Sequence, residues 1–169
     1  LRASHIKPWA ACATDRETQV DWLRGLSQAF AYFGGVTEVV VPDNPKALIT
    51  VADRYEPEIT LAAQRCAEHF GTVILPARPK HPQDKAKVEV GVQIVERWIL
   101  ARLRHQTFFS LAALNHAITD LLVDLNRRNF KKLTGTRRSW FESIDQPALK
   151  PLPTSAYEPA SFKRAKVHI

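Results

Sequence analysis

The sequence predicts a layered α/β domain, and three observations carry that prediction. Short β-branched runs alternate with longer stretches whose apolar residues recur at helical spacing. Most of these stretches are closed by a stop signal: a glycine pair, a single glycine or a proline. The longest helical stretch is apolar on two sides, which places it centrally rather than flat on a surface.

The elements follow in order. Trp9–Ala13 reads as a short buried strand, with Ile6 near its start. Thr14-Asp15-Arg16-Glu17 has the capping-box pattern, so a helix should follow, with Val20, Leu23, Leu26, Phe30 and Phe33 inward. Gly34-Gly35 ends it, and Val36–Val41 is the next strand. Residues 44–57 read as a loop carrying Lys46, Asp53 and Arg54. A second helix is expected over Ile59–Phe70, with Ile59, Ala62, Ala63, Cys66 and Phe70 inward and Gly71 as terminator. Thr72–Leu75 is a third strand, stopped by Pro76. Pro76, Pro79 and Pro82 forbid regular structure between them and leave a basic loop. The next helix runs from about Asp84 to Arg104; Val88, Val92, Val95, Ile99 and Leu103 form one stripe, and Val90, Ile94 and Trp98 a second. Ser110 caps a last long helix with Leu111, Leu114, Ile118, Leu121, Leu122 and Leu125 inward.

After Phe130 the character changes. Residues 131–138 are a basic linker, Ser139–Ile144 has room for one or two helical turns, and four prolines then keep the chain extended. The expected division is therefore a core over 1–130, then a basic, proline-containing linker and the start of a C-terminal domain over 131–169.

Composition narrows the function classes. A hydrophobic content of 45% and a charged content of 24% are those of an ordinary globular protein. No apolar run is long enough to cross a bilayer and no cleavable leader is visible, so no membrane role and a cytoplasmic setting are expected. Cys12 and Cys66 stand alone, and the histidines form no ligand pattern. The net charge of +7 is localised: residues 1–126 balance 14 Lys and Arg against 14 Asp and Glu, whereas residues 127–169 hold 10 against 3. A basic tail behind a neutral domain is a common footprint of nucleic-acid contact, although it also suits a merely solvated terminus. The absence of methionine reads as a piece of a longer product.

The candidate chemistry lies between Val39 and Gln93. Val39-Val40-Val41-Pro42-Asp43 reads as a buried strand delivering Asp43 to the carboxyl edge of the sheet, where α/β folds place ligands. Glu89 falls in the first turns of the long helix, with Lys85 one turn earlier on the same face. Two acidic oxygen donors on separate rigid elements suit magnesium, best with a phosphodiester supplying further oxygens. The residues alone also allow Asp43 as a turn former, with Asn44 beside it, and Glu89 as a solvated helix residue paired with Lys85.

The strings AYFGGVTEVVVPDNPKALIT, YEPEI, AEHFG, ILPARPKHPQDKAKVEVGVQIVERWILARLR and FFSLAALN resemble the IstA-like transposases of bacterial insertion sequences, of the DDE type within the retroviral-integrase superfamily. The resemblance implies a ribonuclease-H-like fold, a central mixed sheet flanked by helices, here without its first strand. It implies three carboxylates bridged by two Mg2+ or Mn2+ ions, acting in phosphodiester cleavage and strand transfer. It places the second carboxylate on Asp43 and the third on Glu89, both metal ligands. The first would precede Leu1, so this chain should be inactive alone. Asp53 and Asp84 are read as a loop residue and a helix-start charge.

Lys46, Arg54, Arg78, Lys80, Lys85 and Lys87 are placed to meet phosphates at the mouth of the site, with Arg137 and Arg138 in the basic tail. Each of them alone is read equally well as a solubility charge. Trp22, Trp98 and Trp140 are read as packing residues. The implied partners are element-end and target DNA, sister subunits in a homo-oligomer and an ATPase helper, acting at the bacterial nucleoid. A non-catalytic DNA-binding or protein-interaction module, and a nuclease with hydrolysis only, are the competing readings.

Overall fold

The computed structural model describes residues 8–43, 45–51, 58–77 and 82–160, with the side chains of all of these except 51 and 82–90. Helix α1 spans Gln19–Phe33. Its capping box is one turn later than the sequence pattern predicts. The Thr18 hydroxyl accepts from the Asp21 N–H at 3.3 Å, and the Asp21 carboxylate accepts from the Thr18 N–H at 3.1 Å. Thr14 instead donates to the Arg16 carbonyl at 2.8 Å, closing a turn ahead of the helix. Two threonine-led strings compete here, and only the second has both reciprocal bonds in place. Gly34, at φ +71°, ends the helix in the left-handed conformation that glycine adopts without a Cβ penalty.

The expected 36–41 strand is shorter. Strand β1 is Val39–Val40 and pairs parallel with Val73–Ile74, while Val36 makes an isolated antiparallel bridge to Lys150. Between these two strands in chain order comes a separate small antiparallel ladder, β2 (Ile49–Val51) with β3 (Glu58–Ile59), where the sequence predicts a loop and a helix start. Helix α2 therefore begins at Leu61, capped by Thr60, whose hydroxyl accepts from the Ala63 N–H at 3.3 Å. It ends at Phe70 before Gly71, and β4 (Val73–Ile74) follows. Helix α3 covers Pro82–Leu103, and α4 covers Leu111–Arg127 behind the Ser110 cap. A short α5 (Arg137–Trp140) continues through wider and tighter turns to Ala148.

Two apolar clusters hold these elements. One gathers Leu23 and Phe30 of α1, Ile49, Ile74 and the α2 face Ala62, Ala63, Cys66, Ala67 and Phe70. The other packs Ile99 and Leu103 of α3 on Ile118 and Leu122 of α4, with Trp9, Ala13 and Trp98 against it. The central position expected for α3 holds on one side; Val92 and Leu100 face solvent. Among the described residues no helix is long and apolar enough to cross a membrane.

The segment Trp9–Ala13, read as a buried strand, joins no ladder among the described residues, and Ala10, Ala11 and Cys12 are exposed. Its backbone is satisfied by two asparagines of α4. Asn126 accepts from the Trp9 N–H and donates to the Trp9 carbonyl, both at 2.8 Å, and also donates to the Tyr32 hydroxyl at 2.9 Å. Asn115 does the same for Ala13, at 2.7 and 3.0 Å. Eleven residues are about three helical turns, so both amides project from one side of α4 and imitate a neighbouring strand.

The chain after α5 is docked on the core. Lys150 exchanges backbone bonds with Val36, both at 2.9 Å, and its ammonium donates to the Gly71 carbonyl at 2.8 Å. Tyr157 lies against His69 and Phe70, with ring centroids at 5.3 and 5.6 Å.

Asn126 is 1% exposed, so its removal opens a polar void in the core and leaves the part-buried peptide groups of Trp9 without their partner. We expect Asn126→Ala to cost about 2–4 kcal/mol in urea unfolding, and the half-buried Asn115→Ala less. Burial pushes the Cys66 thiol up to about 11, and burial together with Cys66 pushes the Tyr157 phenol up to about 12. Both groups hold their protons in the folded state and would ionise near 9 and 10 unfolded. Their stabilisation is complete below pH 9 and is lost as pH rises through 11–12. Urea midpoints across that window should fall more steeply for the wild type than for Cys66→Ala/Tyr157→Phe; equal slopes would refute this.

Candidate active site

Because β1 and β4 run parallel, both end at the same edge of the pair. The pairing outlasts the strands: the Leu75 N–H bonds the Val40 carbonyl at 2.9 Å and the Ala77 N–H the Pro42 carbonyl at 3.2 Å. Pro42 is buried and Asp43 exposed, so a carboxylate stands at the carboxyl edge, as the sequence predicts. The strand that delivers it is not the buried one expected: Val39 and Val41 are 44% and 61% exposed, because β1 has a described ladder partner on one side alone. Ala77 directly precedes Arg78. Lys46 is exposed in the turn after Asp43, which closes through the Leu48 N–H to the Pro45 carbonyl at 2.9 Å.

Glu89 is the eighth residue of α3, and its side chain lies outside the described residues, as do those of Lys85 and Lys87. Asn44, Asp53, Arg54, Arg78 and Lys80 also lie outside them, as does the side chain of Asp84. What fixes the helix near Glu89 is visible two residues on. A Cβ built on Gly91 would overlap Cη2, Cζ3 and Cζ2 of the Trp9 ring, so this contact admits only glycine. Trp9 is held by Asn126, and α3 is thereby pinned to α4 beside Glu89. Sequence reasoning missed both residues. The available signals were a lone glycine within a helix, which marks close approach, and an asparagine on an apolar stripe.

The tail arginines differ from simple surface cations. Arg137 is half-buried, its guanidinium 5.3 Å from the Trp9 ring and 5.2 Å from Phe130, and burial lowers its pKa. Arg138 pairs with Glu142 at 2.6 Å. The packing roles read for two tryptophans hold: Trp98 donates to the Leu121 carbonyl at 3.2 Å and Trp140 to the Thr134 carbonyl at 2.9 Å. Trp22 is 39% exposed on the wall of a cleft.

That cleft, of about 950 Å³, is walled by the 10–14 segment, α1, α4 and the β1–β4 pair. Ala10, Leu26, Val40, Pro42, Ile74 and Leu122 make it largely apolar, and it reaches Pro42, next to Asp43. Among the described residues β1 has a ladder partner on the β4 side alone. No described group of three His, Cys, Asp or Glu residues could hold a metal ion.

No protein-family model matches the chain. Over 159 residues, 94% of its length, it is 67% identical to a protein of Pseudomonas fluorescens described as a transposase for insertion sequence IS1162. The chain is a relative of the insertion-sequence transposases. It spans 28% of that transposase. Two solved structures share its fold at low sequence identity. The simian T-cell lymphotropic virus intasome, in complex with the PP2A regulatory subunit B56 gamma, aligns with TM-score 0.62 and 18% identity over 92% of this chain and 49% of that one. The catalytic core domain of BIV integrase aligns with TM-score 0.58 and 14% identity over 80% and 78%. The ribonuclease-H-like fold of integrase catalytic cores is thus the fold of this transposase relative.

Trp9 and Gly91 should therefore couple. Gly91→Ala is expected to lose about 1–3 kcal/mol by overpacking. Trp9→Leu should relieve part of that loss, giving a coupling above about 0.5 kcal/mol in a double-mutant cycle of urea unfolding. Additive losses would mean that the ring does not lie on the helix.

Proposed function

We propose that this chain is the catalytic-core segment of a DDE-type transposase that cuts and joins insertion-sequence DNA, with Asp43 and Glu89 as two of its carboxylates. The observation that carries the reading is Asp43 itself: an exposed carboxylate at the carboxyl edge of a parallel pair, in a chain with the integrase-core fold and close insertion-sequence relatives.

The donor set suits Mg2+ or Mn2+, since carboxylate oxygens are hard ligands. Asp43 would hold the metal from the sheet edge and Glu89 from α3. Divalent ions bound there would polarise the phosphodiester and neutralise the charge that develops on its oxygens. Asp43 contributes position: the bond from Ala77 to the Pro42 carbonyl locks the backbone immediately before it. Trp9 against Gly91 holds the helix that carries Glu89. Lys46, Arg54, Arg78, Lys80, Lys85 and Lys87 would meet DNA phosphates around this edge.

A further carboxylate would come from the longer transposase, on an extended strand entering the cleft beside β1, where a ladder position is open among the described residues. Element ends and target DNA are the substrates in this reading, with sister subunits and an ATPase helper as partners.

The test is Asp43→Asn and Glu89→Gln in the longer transposase, read by cleavage and strand transfer on element-end DNA in Mg2+. Each should lower both rates by about 100-fold or more, roughly 3 kcal/mol of transition-state stabilisation, with DNA affinity retained. Variants that cut and join like the wild type would leave the non-catalytic module as the better reading.

A further inference from the structure

Between Leu125 and Phe141 the chain has six cationic side chains and no carboxylate. The fold treats the six differently. Arg137 is stacked between Trp9 and Phe130, and Arg138 is neutralised by Glu142. Arg127, Lys131 and Lys132 are exposed, and none has a carboxylate partner among the described residues. Arg128 is exposed as well, its guanidinium 4.9 Å from the Trp98 ring.

The loop that carries the lysines is closed rather than loose. Asn129 and Thr136 form an antiparallel bridge, and the Phe130 N–H bonds the Gly135 carbonyl at 3.1 Å. Gly135 sits at φ +95°, where a side chain would be strained, and a Cβ there would meet the Ser139 hydroxyl at 2.9 Å. Trp140 donates to the Thr134 carbonyl at 2.9 Å, and the Thr136–Ser139 capping box locks the exit into α5. Arg137 stacked on Phe130 fastens the base of the loop to the core. Lys131 and Lys132 are thus displayed from a fixed main chain next to Arg127, and less backbone ordering has to be supplied on binding.

We infer that Arg127, Lys131 and Lys132, with Arg128 beside them, form a preorganised contact for the phosphate backbone of duplex DNA, separate from the Asp43 edge. The inference rests on the transposase reading for its choice of DNA. The flanking carboxylates, Asp124 and Glu142, are paired with Arg102 and Arg138, so the remaining cations are left to neutralise phosphates whatever the base sequence, and the bound counterions are released.

The experiment is anisotropy of this chain with a duplex of unrelated sequence between 50 and 200 mM salt. Arg127→Gln/Lys131→Gln/Lys132→Gln should reduce the slope of log K against log salt by about 2.7, at about 0.9 per lost phosphate contact. A variant removing the same charge elsewhere, Arg16→Gln/Arg24→Gln/Arg65→Gln, should change it by less than about 1. The conservative Arg127→Lys/Lys131→Arg/Lys132→Arg should keep the wild-type slope, and matching circular dichroism would verify folding.

An unchanged slope in the loop variant, or an equal change in the control, overturns the inference. So does competition by polyglutamate as effective as that by DNA at equal charge. The two readings fail separately: a loop variant without effect leaves the Asp43 and Glu89 results intact, and the reverse also holds.

Discussion

The arrangement depends on one buried amide. Asn126 spends its carbonyl and its amino group on the backbone of Trp9, with a further bond to Tyr32. A segment with no described strand beside it is thereby kept against α4 with the part-buried peptide groups of Trp9 hydrogen-bonded. The tryptophan then serves three neighbours: its ring lies on α3 at Gly91, borders the α3–α4 apolar cluster and receives the guanidinium of Arg137. Without that amide, α1, α3 and α4 and the start of α5 at Arg137 lose a common reference point.

From this point the geometry divides into two regions. Toward the sheet, a short parallel pair raises Asp43 at its carboxyl edge, and α3 carries Glu89 close to the contact with Trp9. Away from it, α4 ends in a closed cationic loop whose base is fastened by Arg137. The proposed chemistry belongs to the first region and the proposed DNA backbone contact to the second. Both are tied to the same tryptophan, which would let a duplex held on the loop keep a fixed relation to the carboxylates.

The sequence was most legible where local rules act alone. Gly71 and Ser110 mark helix ends that the structure reproduces, and the Asp43 position follows from a β-branched run stopped by proline. It was less legible where tertiary contacts decide. Strands β2 and β3 are too short to show a period of two, and Ile59 suits a helix face as well as a ladder. Trp9–Ala13 is neither a ladder strand nor buried over Ala10–Cys12, and its backbone partners are side chains more than 100 residues away. The prolines after residue 146 predicted an extended chain; that it docks through Lys150 and Tyr157 left no local pattern. Equal charges in the tail hid unequal roles, because stacking and pairing depend on what the fold brings near each arginine.

The most direct measurement of the central claim maps metal proximity along the backbone of the longer transposase. Fe2+ would replace Mg2+, with ascorbate and peroxide generating radicals that cut the peptide chain near the bound ion. Cuts should fall together near residues 43 and 89, be suppressed by excess Mg2+ and disappear at both positions in Asp43→Asn. Cuts at one position alone, at neither, or unchanged in Asp43→Asn would contradict a shared metal site between the sheet edge and α3.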